Sequence, residues 1–312
     1  MSNLWVGLTD NEWYRVVSSI PQIDEVNFWQ PGSGIRSFRV LKQGELFLFK
    51  LHSPMNFIVG GGFFLKHERL PISLAWEAYE IKNGAHTYSE MRALILGKRK
   101  QSQQNRDDFE IGCILLSQPF FFEKPDWIPV PSDWHPSIQQ GKHYLTDREL
   151  GKTLWNEVEM RLIQFPGHPP FRQRAEDRAR YGSEIRIRPR LGQSSFRVFV
   201  TEAYNRSCAI TEEHSLPALE AAHIKPFNED GAHEINNGLL LRSDFHRLFD
   251  RGYITVTPEY RIEVSRRLRE EFENGHSYYP FHGRSLNHLP MVLEDQPSKE
   301  LLTWHNETIF RS

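Results

Sequence analysis

The first half of the chain carries long apolar stretches that predict β-strands. Apolar residues dominate Gly44–Leu51 and Phe57–Phe64, and the five residues between them, His-Ser-Pro-Met-Asn, are typical of a turn. This region therefore predicts a β-hairpin. Gly60–Gly62 fall within its second strand, where consecutive glycines indicate a bulge, a tight bend or space for a ligand. We prefer the interpretation that the strand bends in a small barrel.

Further elements of this half follow from the same kind of pattern. The predicted elements are helices at Ser73–Tyr79 and Ser89–Leu96, a buried strand at Ile111–Leu116, and a helix around Trp155–Leu162. The proline-rich segment Phe165–Pro170 ends this last helix, because proline lacks an amide donor and restricts the residue before it. We therefore expect a first domain at residues 1–165.

The second half contains shorter elements. In chain order they are a helix at Phe196–Tyr204, a strand at Leu219–Ile224 that ends before Pro226, a helix at Asp244–Asp250, and a hairpin formed by Tyr253–Val256 and Arg261–Val264. Ser243 is the expected N-cap of the short helix, and Gly252 is expected to close it. A loop rich in Asn, Asp and Gly occupies Asn228–Asn236.

Composition narrows the class of protein. The chain has 312 residues, enough for about two domains, and 39% of them are hydrophobic, which favours a globular protein. The two cysteines, Cys113 and Cys208, are too few for a disulfide framework, which indicates a reducing compartment. No stretch has the pattern of a membrane span or a secretory signal. We expect a cytoplasmic protein without membrane contact.

Three residues carry the strongest chemical signal. They are His223 on a predicted strand, Asn237 fourteen positions later, and His246 nine positions after that. This spacing, together with the string from Cys208 to Gly252, resembles the HNH nucleases and in particular their bacterial restriction-type branch. The resemblance implies a ββα-metal fold in which His223 is the general base, His246 binds a divalent cation, and Asn237 fixes the loop and orients the base.

These residue types suit phosphodiester hydrolysis. The reaction needs a base for the attacking water and a cation that neutralises the charge developing on the phosphate and the leaving oxygen. An imidazole with an ordinary pKa near 6.5 is neutral at working pH and accepts a proton. A strand followed by a helix can hold the base and the metal ligand close together.

The chain departs from the wider HNH pattern at the positions of a structural zinc. Many members carry two Cys-x-x-Cys pairs, and the matching positions here are Cys208 with Thr211 and Arg242 with Phe245. Because three of the four ligands are absent, we expect no structural zinc. The residues expected to fill this place by apolar packing are Phe245, Leu240 and Ile210.

A second departure concerns the catalytic metal. The residue before the base histidine is commonly an Asp in this family, and here it is Ala222. On a strand, Glu220 lies on the same face as Ala222, and its side chain is longer than that of Asp. We therefore expect Glu220 to reach the ion together with His246. Asp244 or a phosphate oxygen would supply further oxygen ligands. Such a set favours Mg²⁺ or Mn²⁺ over zinc.

Affinity for DNA must come from local clusters, because the net charge is only −2. Residues 161–206 contain ten arginines and no lysine against four acidic residues. A basic linker is therefore predicted at residues 166–194, with a solvated linker as the alternative. The expected contacts with the DNA backbone are Arg186, Arg188, Arg190 and, on the short helix, Arg247. We also expect Asp250 and Arg247 to help pack the short helix against the hairpin that follows it.

The glycine-rich hairpin of the first half resembles the core hairpin of PUA-superfamily domains, whose SRA and EVE branches read modified bases. The resemblance implies a small barrel that accepts a flipped base between aromatic walls. Most of the aromatic candidates are nevertheless expected in the core. The candidate residues of a modified-base pocket are Asn27, Phe28, Trp29, His52, Ser53, Asn56, Phe57, Phe63, Phe64 and Trp76.

Taken with the resemblances, the sequence predicts an α+β protein. It would have an N-terminal PUA-like β-barrel with flanking helices at residues 1–165, a linker at 166–194, and a C-terminal ββα-metal HNH domain at 195–312. The expected function is modification-dependent restriction, in which the HNH domain cuts double-stranded DNA with one Mg²⁺ or Mn²⁺ ion. The alternatives are an HNH nuclease that reads unmodified sequence or structure, and a non-catalytic protein that binds modified DNA. A homodimer is also compatible with the sequence.

Overall fold

The computed structural model describes residues 3–32, 38–99, 107–164 and 191–312. Contacts divide the chain into two units, Met1–Arg190 and Leu191–Ser312. Most of the predicted linker, including Arg186, Arg188 and Arg190, lies outside the described residues. The predicted domain boundaries therefore stay predictions.

The first unit combines strands and helices. Its strands are β1 (Asn3–Thr9), β2 (Glu25–Gln30), β3 (Leu46–Leu51), β4 (Phe57–Pro71), β5 (Glu110–Phe121), β6 (Ile128–Pro129) and β7 (Gly141–Leu145). Its helices are α1 (Asn11–Ser18), α2 (Ile72–Tyr79), α3 (Tyr88–Lys98) and α4 (Glu149–Gln164). The predicted hairpin is confirmed, since β3 and β4 pair antiparallel.

The described strands of this unit form one sheet with the order β2-β5-β4-β3-β1-β7, and β6 pairs with the start of β4. The pair β1 and β3 is parallel, whereas the other pairs are antiparallel. No pairing in the described part of the chain joins β2 to β7, the two ends of this order. The mixed α+β class is therefore confirmed, but the predicted closed β-barrel is not.

Close contact between strands explains the glycines of β4. A Cβ atom on Gly60 would lie 2.2 Å from the carbonyl oxygen of Phe120, and one on Gly61 would lie 2.6 Å from that of Phe47. The register between β4 and β5 shifts just after Gly61. Both positions thus need glycine because neighbouring backbones approach them. The register shift matches the bulge that the sequence offered as one interpretation, whereas the preferred one, a bend in a small barrel, is not confirmed.

The sheet of this unit packs side chains on both faces, as the alternation along β3 shows. Leu46 and Leu48 join a buried cluster with Val158 of α4. Phe47 lies on the other face, where its ring centroid is 4.8 Å from that of Phe28. The period of two along β3 therefore sends successive side chains into packed groups on opposite faces of the sheet.

The second unit contains the ββα arrangement that the HNH resemblance implies. Its elements are α5 (Gln193–Ala203), β8 (Leu219–His223), β9 (Gly238–Arg242), α6 (Ser243–Asp250), β10 (Ile254–Val256), β11 (Ile262–Val264), α7 (Arg267–Phe272) and α8 (Lys299–Thr308). Strands β8 and β9 pair antiparallel, with His223 opposite Gly238. The chain passes directly from β9 into α6, so the strand pair and the helix share one core that contains Leu239 and Phe245.

The ends of α6 were predicted with mixed success. The predicted cap Ser243 is wrong, because Ser243 is already the first helical residue and Arg242 occupies the cap position without a side-chain cap bond. Gly252 is confirmed: its φ is +73°, and a Cβ there would lie 2.0 Å from the carbonyl oxygen of Ile309.

Among the described residues, no helix combines the length and the apolar character that crossing a membrane requires.

Candidate active site

His223 is the last residue of β8, and its imidazole ring packs against an aromatic ring. The ring of Phe196 on α5 stacks on it with centroids 3.8 Å apart and planes 12° apart. Partial burial lowers the pKa of His223 to about 4, and the charges of His233 and His246 act in the same direction. The imidazole is therefore neutral at neutral pH, which is the form that accepts a proton.

A second histidine, which the sequence interpretation did not select, contacts this base. Nδ1 of His233 lies 3.0 Å from Nε2 of His223, within hydrogen-bond distance. The ring of Phe227 stacks on His233 with centroids 4.7 Å apart and planes 4° apart. The available signal was a histidine inside the polar loop between His223 and Asn237, but nothing in the loop's pattern shows that it folds back.

Asn237 is buried and holds this loop together. Its Oδ1 accepts a hydrogen bond from the backbone N–H of Lys225 at 2.9 Å, and its Nδ2 donates to the carbonyl oxygens of Lys225 and Ala232 at 2.9 and 2.8 Å. These three bonds tie the exit of β8 to the entrance of β9. This geometry suits the predicted loop-fixing role, and the role itself stays a prediction.

His246 lies between two carboxylates. Its Nδ1 is 2.6 Å from Oε2 of Glu220 on β8, and its Nε2 is 3.3 Å from Oδ2 of Asp250 on the same helix. The Glu220 and Asp250 side chains are 41% and 54% exposed, so a phosphate can approach them. Asp250, which the sequence interpretation assigned to packing, thus lies at the predicted metal ligand.

The donor types at this point fit a hard divalent cation. One imidazole nitrogen and two carboxylates form a set that Mg²⁺ or Mn²⁺ accepts. In the residues that the structure describes, no three His, Cys, Asp or Glu side chains form a ready metal site, and the two carboxylates contact opposite nitrogens of His246. Asp244 belongs to a different interaction, because its carboxylate pairs with the Arg242 guanidinium at 2.7 and 2.8 Å.

The four residues at the positions of the usual zinc ligands form hydrogen bonds and apolar contacts instead. They are Cys208, Thr211, Arg242 and Phe245. Cys208 is buried, and its Sγ accepts hydrogen bonds from the backbone N–H groups of Thr211 at 3.4 Å and Arg242 at 3.3 Å. The guanidinium of Arg242 lies 5.0 Å from the ring centroid of Phe245. The residues that pack with Cys208 in one buried cluster include Ile210, Leu240 and Phe245. The absence of a structural zinc stays a prediction.

The predicted base-pocket residues fall into two groups in the first unit. Asn27, Trp29, Phe63 and Phe64 are buried, while Phe28 and Trp76 are half-buried. Asn27 donates from Nδ2 to Oδ1 of Asn83 at 2.8 Å, and Trp29 donates from Nε1 to the Asn83 carbonyl oxygen at 2.9 Å. These contacts are internal, so the structure places the buried members of this group in the interior of the unit.

The other group lies together on the surface. His52, Ser53, Asn56 and Phe57 are exposed at the turn between β3 and β4. Three residues that the sequence interpretation missed lie beside this turn. Nζ of the buried Lys50 donates to Oδ1 of Asn56 at 2.8 Å and lies 5.2 Å from the ring centroid of Trp134. The ring of Trp127 is 5.9 Å from that of Phe57.

Of the predicted DNA-backbone contacts, only Arg247 lies in the described part of the chain. It is exposed on α6, one residue after His246. The predicted phosphate contact of Arg247 stays a prediction.

Comparison with known proteins supports the HNH interpretation. Residues 208–257 match a family model described as HNH endonuclease, so the resemblance to the HNH nucleases is confirmed for this segment. No curated protein matches the chain.

Solved structures show more distant similarity. An ASCH protein from Zymomonas mobilis matches with 10% identity and a TM-score of 0.32, over 48% of this chain and 94% of that one. A mutant of the same protein matches with 10% identity and a TM-score of 0.33, over 49% and 96%. A structure titled modification-dependent TagI restriction endonuclease matches with 10% identity and a TM-score of 0.29, over 97% and 81%.

Proposed function

We propose that this chain is a metal-dependent DNA endonuclease whose HNH domain cuts where the N-terminal unit has bound a modified base. One observation carries the nuclease half of this proposal. The short strand β8 presents a neutral imidazole at His223 and, three residues earlier, the carboxylate of Glu220 that contacts His246 on α6. A base and a metal ligand set are thereby held on adjoining elements.

His223 acts as the general base. Its neutral ring accepts a proton from the attacking water, and stacking on Phe196 keeps the plane of the ring fixed. Positioned bases of this kind contribute about 10²- to 10⁴-fold in rate. The contribution depends on geometry, because the nitrogen must point at the water.

Glu220, His246 and Asp250 would supply the ligands of the divalent cation, and because the two carboxylates contact opposite nitrogens of His246, one of them must move for both to reach one ion. A Mg²⁺ or Mn²⁺ ion bound there would neutralise the charge that develops on the phosphate and the leaving oxygen. Ala222, at the usual Asp position, has no donor atom to offer a metal, and its methyl group is buried in the core. Glu220 supplies the carboxylate from two residues earlier on the strand.

The surface around the turn between β3 and β4 reads the base. Asn56 offers an amide, Trp127 and Trp134 offer aromatic faces, and the buried Lys50 adds a positive charge that holds Asn56 in place. A flipped base can stack on an aromatic ring while polar groups contact its edge. Cleavage of DNA pairs that differ only in base modification distinguishes our proposal from a nuclease that reads unmodified sequence or structure.

A supercoiled-plasmid assay with modified and unmodified DNA tests the nuclease half. The full chain should nick modified plasmid in Mg²⁺ or Mn²⁺ but not in chelator, and His223→Ala should lose this activity. His276→Ala is the matched control, because His276 is an exposed histidine of the same unit with no role in the site.

Two results would contradict the proposal. If His223→Ala nicks the plasmid as fast as the wild type, His223 is not the general base. Tight binding of modified DNA without cleavage in either metal would favour the non-catalytic alternative, for which the argument is that Ala222 stands where a metal-binding Asp is common.

A further inference from the structure

The ring of His223 needs more than stacking to be oriented. Phe196 fixes the plane of the imidazole, but a parallel stack is nearly indifferent to a half-turn of the ring about its Cβ–Cγ bond, which keeps the plane and exchanges the two edges. The hydrogen bond between Nε2 of His223 and Nδ1 of His233, 3.0 Å long, distinguishes the two orientations because only one places a nitrogen there. The position of His233 therefore determines which nitrogen of His223 faces away from the loop.

The loop holds His233 in that position by two further contacts. Nδ2 of Asn237 donates to the carbonyl oxygen of Ala232, the residue just before His233, at 2.8 Å. Phe227 covers the His233 ring on one side, although 66% of Phe227 is exposed. The two rings are nearly parallel, so the stack limits how the His233 ring can turn.

We propose that His233 is a positioning residue for the base. This inference rests on the proposed nuclease function. In the neutral pair, Nε2–H of His223 donates to Nδ1 of His233, which leaves Nδ1 of His223 unprotonated for the proton of the attacking water. When that proton arrives, His223 becomes an imidazolium that still donates from Nε2 to His233. The same hydrogen bond thus selects the tautomer and keeps its donor, Nε2, in place after the proton transfer.

Kinetics on the full chain with saturating Mn²⁺ test this role. His233→Ala should lower kcat about 10- to 100-fold, the effect typical of losing the partner of a functional histidine, while KM for DNA stays within about twofold. His233→Asn should recover part of kcat, because the Asn oxygen can accept from the same place as Nδ1. A merely structural role would not produce this difference between two variants of equal thermal stability.

The outcomes separate the two hypotheses. A wild-type chain without nuclease activity contradicts the proposed function. An active wild type with unchanged kcat in His233→Ala, or an Asn variant as impaired as the Ala variant despite equal folding, overturns the positioning role alone.

A different observation carries a second inference. A cleft of about 620 Å³ begins at Asp250 and is lined by Arg251, Arg267 and the C-terminal segment that includes Arg311. All three arginines are exposed, and the guanidinium of Arg311 donates to the hydroxyl of Tyr253 at 3.2 Å. Three cations thus line a cleft that contains one carboxylate of the candidate metal site.

We infer that this cleft binds the DNA backbone next to the phosphate that is cut. Arginine recognises phosphate through charge and paired donors, and the cleft reaches the metal site at Asp250. Backbone contacts hold a duplex in place without reading its bases. The inference rests on the proposed function because the phosphate at Asp250 would be the substrate.

Salt dependence of binding tests the cleft. In the full chain carrying His223→Ala, which prevents cleavage, adding Arg251→Gln and Arg267→Gln should flatten the slope of log K against log salt by about 2 for two lost phosphate contacts. Arg266→Gln, an exposed arginine outside the cleft, is the matched control and should change it less. An unchanged slope in the double variant overturns the cleft assignment, whereas failure of the parent chain to bind duplex DNA contradicts the proposed function itself.

Discussion

The carboxylate of Glu220 lies 2.6 Å from Nδ1 of His246 and so joins β8 to α6 at the candidate metal site. Glu220 is two residues before Ala222, where related nucleases commonly have a metal-binding Asp. A period of two places both residues on one face of the strand, and the longer Glu side chain spans the distance to the helix. The contact shows how this chain can keep a carboxylate beside His246 without the usual Asp.

Loss of this carboxylate should weaken metal binding. We expect Glu220→Gln to raise the Mn²⁺ concentration for half-maximal cleavage about 10- to 100-fold, because the amide is a weaker ligand, with partial recovery at saturating metal. Calorimetric titration with Mn²⁺ should show the same loss of affinity. Glu259→Gln, an exposed Glu of the same unit, is the control. An unchanged metal requirement in Glu220→Gln would remove Glu220 from the ligand set.

Asn237 should matter for both stability and activity. Asn237→Ala deprives two backbone groups of Lys225 and one of Ala232 of their partner, which should cost about 2 to 4 kcal/mol in the free energy of unfolding. Urea unfolding measures this cost, and cleavage at a temperature where the variant is folded measures the loss of loop order. Asn236→Ala, the neighbouring change, should cost far less. Equal costs for the two variants would show that the loop bonds are not what stabilises this unit.

The elements around the site were predictable because strong local signals bound them. Pro226 ends the strand β8 and Gly252 ends the helix α6, so the predicted bounds of both elements differ by one residue from the observed ones. The helix cap was wrong because Ser243 has the residue type of a cap but lies one position too late. Local pattern therefore located the ββα core well.

Features that depend on distant pairing were not predictable. The parallel pairing of β1 with β3 joins segments that are some forty residues apart, and no local pattern reports it. His233 was missed for a related reason, since the fold of its loop depends on the hydrogen bonds of Asn237. The predicted pocket aromatics Trp29, Phe63 and Phe64 lie in the interior, because aromatic composition alone does not distinguish a core from a binding wall.

The rate of cleavage should fall only at an unusually low pH when the solution is acidified. The pKa of His223 is lowered to about 4, so its ring stays neutral and able to accept a proton well below the ordinary value near 6.5. We expect the rate of cleavage in Mn²⁺ at pH 5.5 to exceed half of the rate at pH 7.5. A rate that falls with a midpoint near pH 6.5 even at saturating Mn²⁺ would contradict the lowered pKa of the base.

His305 should make the free energy of unfolding depend on pH. Its Nε2 donates to the Phe249 carbonyl oxygen at 3.2 Å and its Nδ1 accepts from the Thr255 hydroxyl at 2.8 Å, and burial lowers its pKa to about 4. Between pH 6.5 and 4 the unfolded chain binds a proton that the folded chain does not, so stability falls as the pH falls.

The slope from this one group is at most about 1.4 kcal/mol per pH unit. Urea unfolding at several pH values should therefore give a shallower dependence for His305→Gln than for the wild type, whatever the difference at pH 7.5. Parallel dependences would mean that His305 takes up its proton in the folded state.

Cleavage of paired duplexes that differ only in base modification tests the central claim most directly. The full chain, in Mg²⁺ or Mn²⁺, should cut at least one duplex carrying a common cytosine or adenine modification about tenfold or more faster than its unmodified twin, a difference of about 1.4 kcal/mol. Trp134→Ala should reduce this ratio while leaving cleavage of the unmodified duplex unchanged. Equal rates on every modified and unmodified pair would contradict the account and favour a nuclease that reads unmodified DNA.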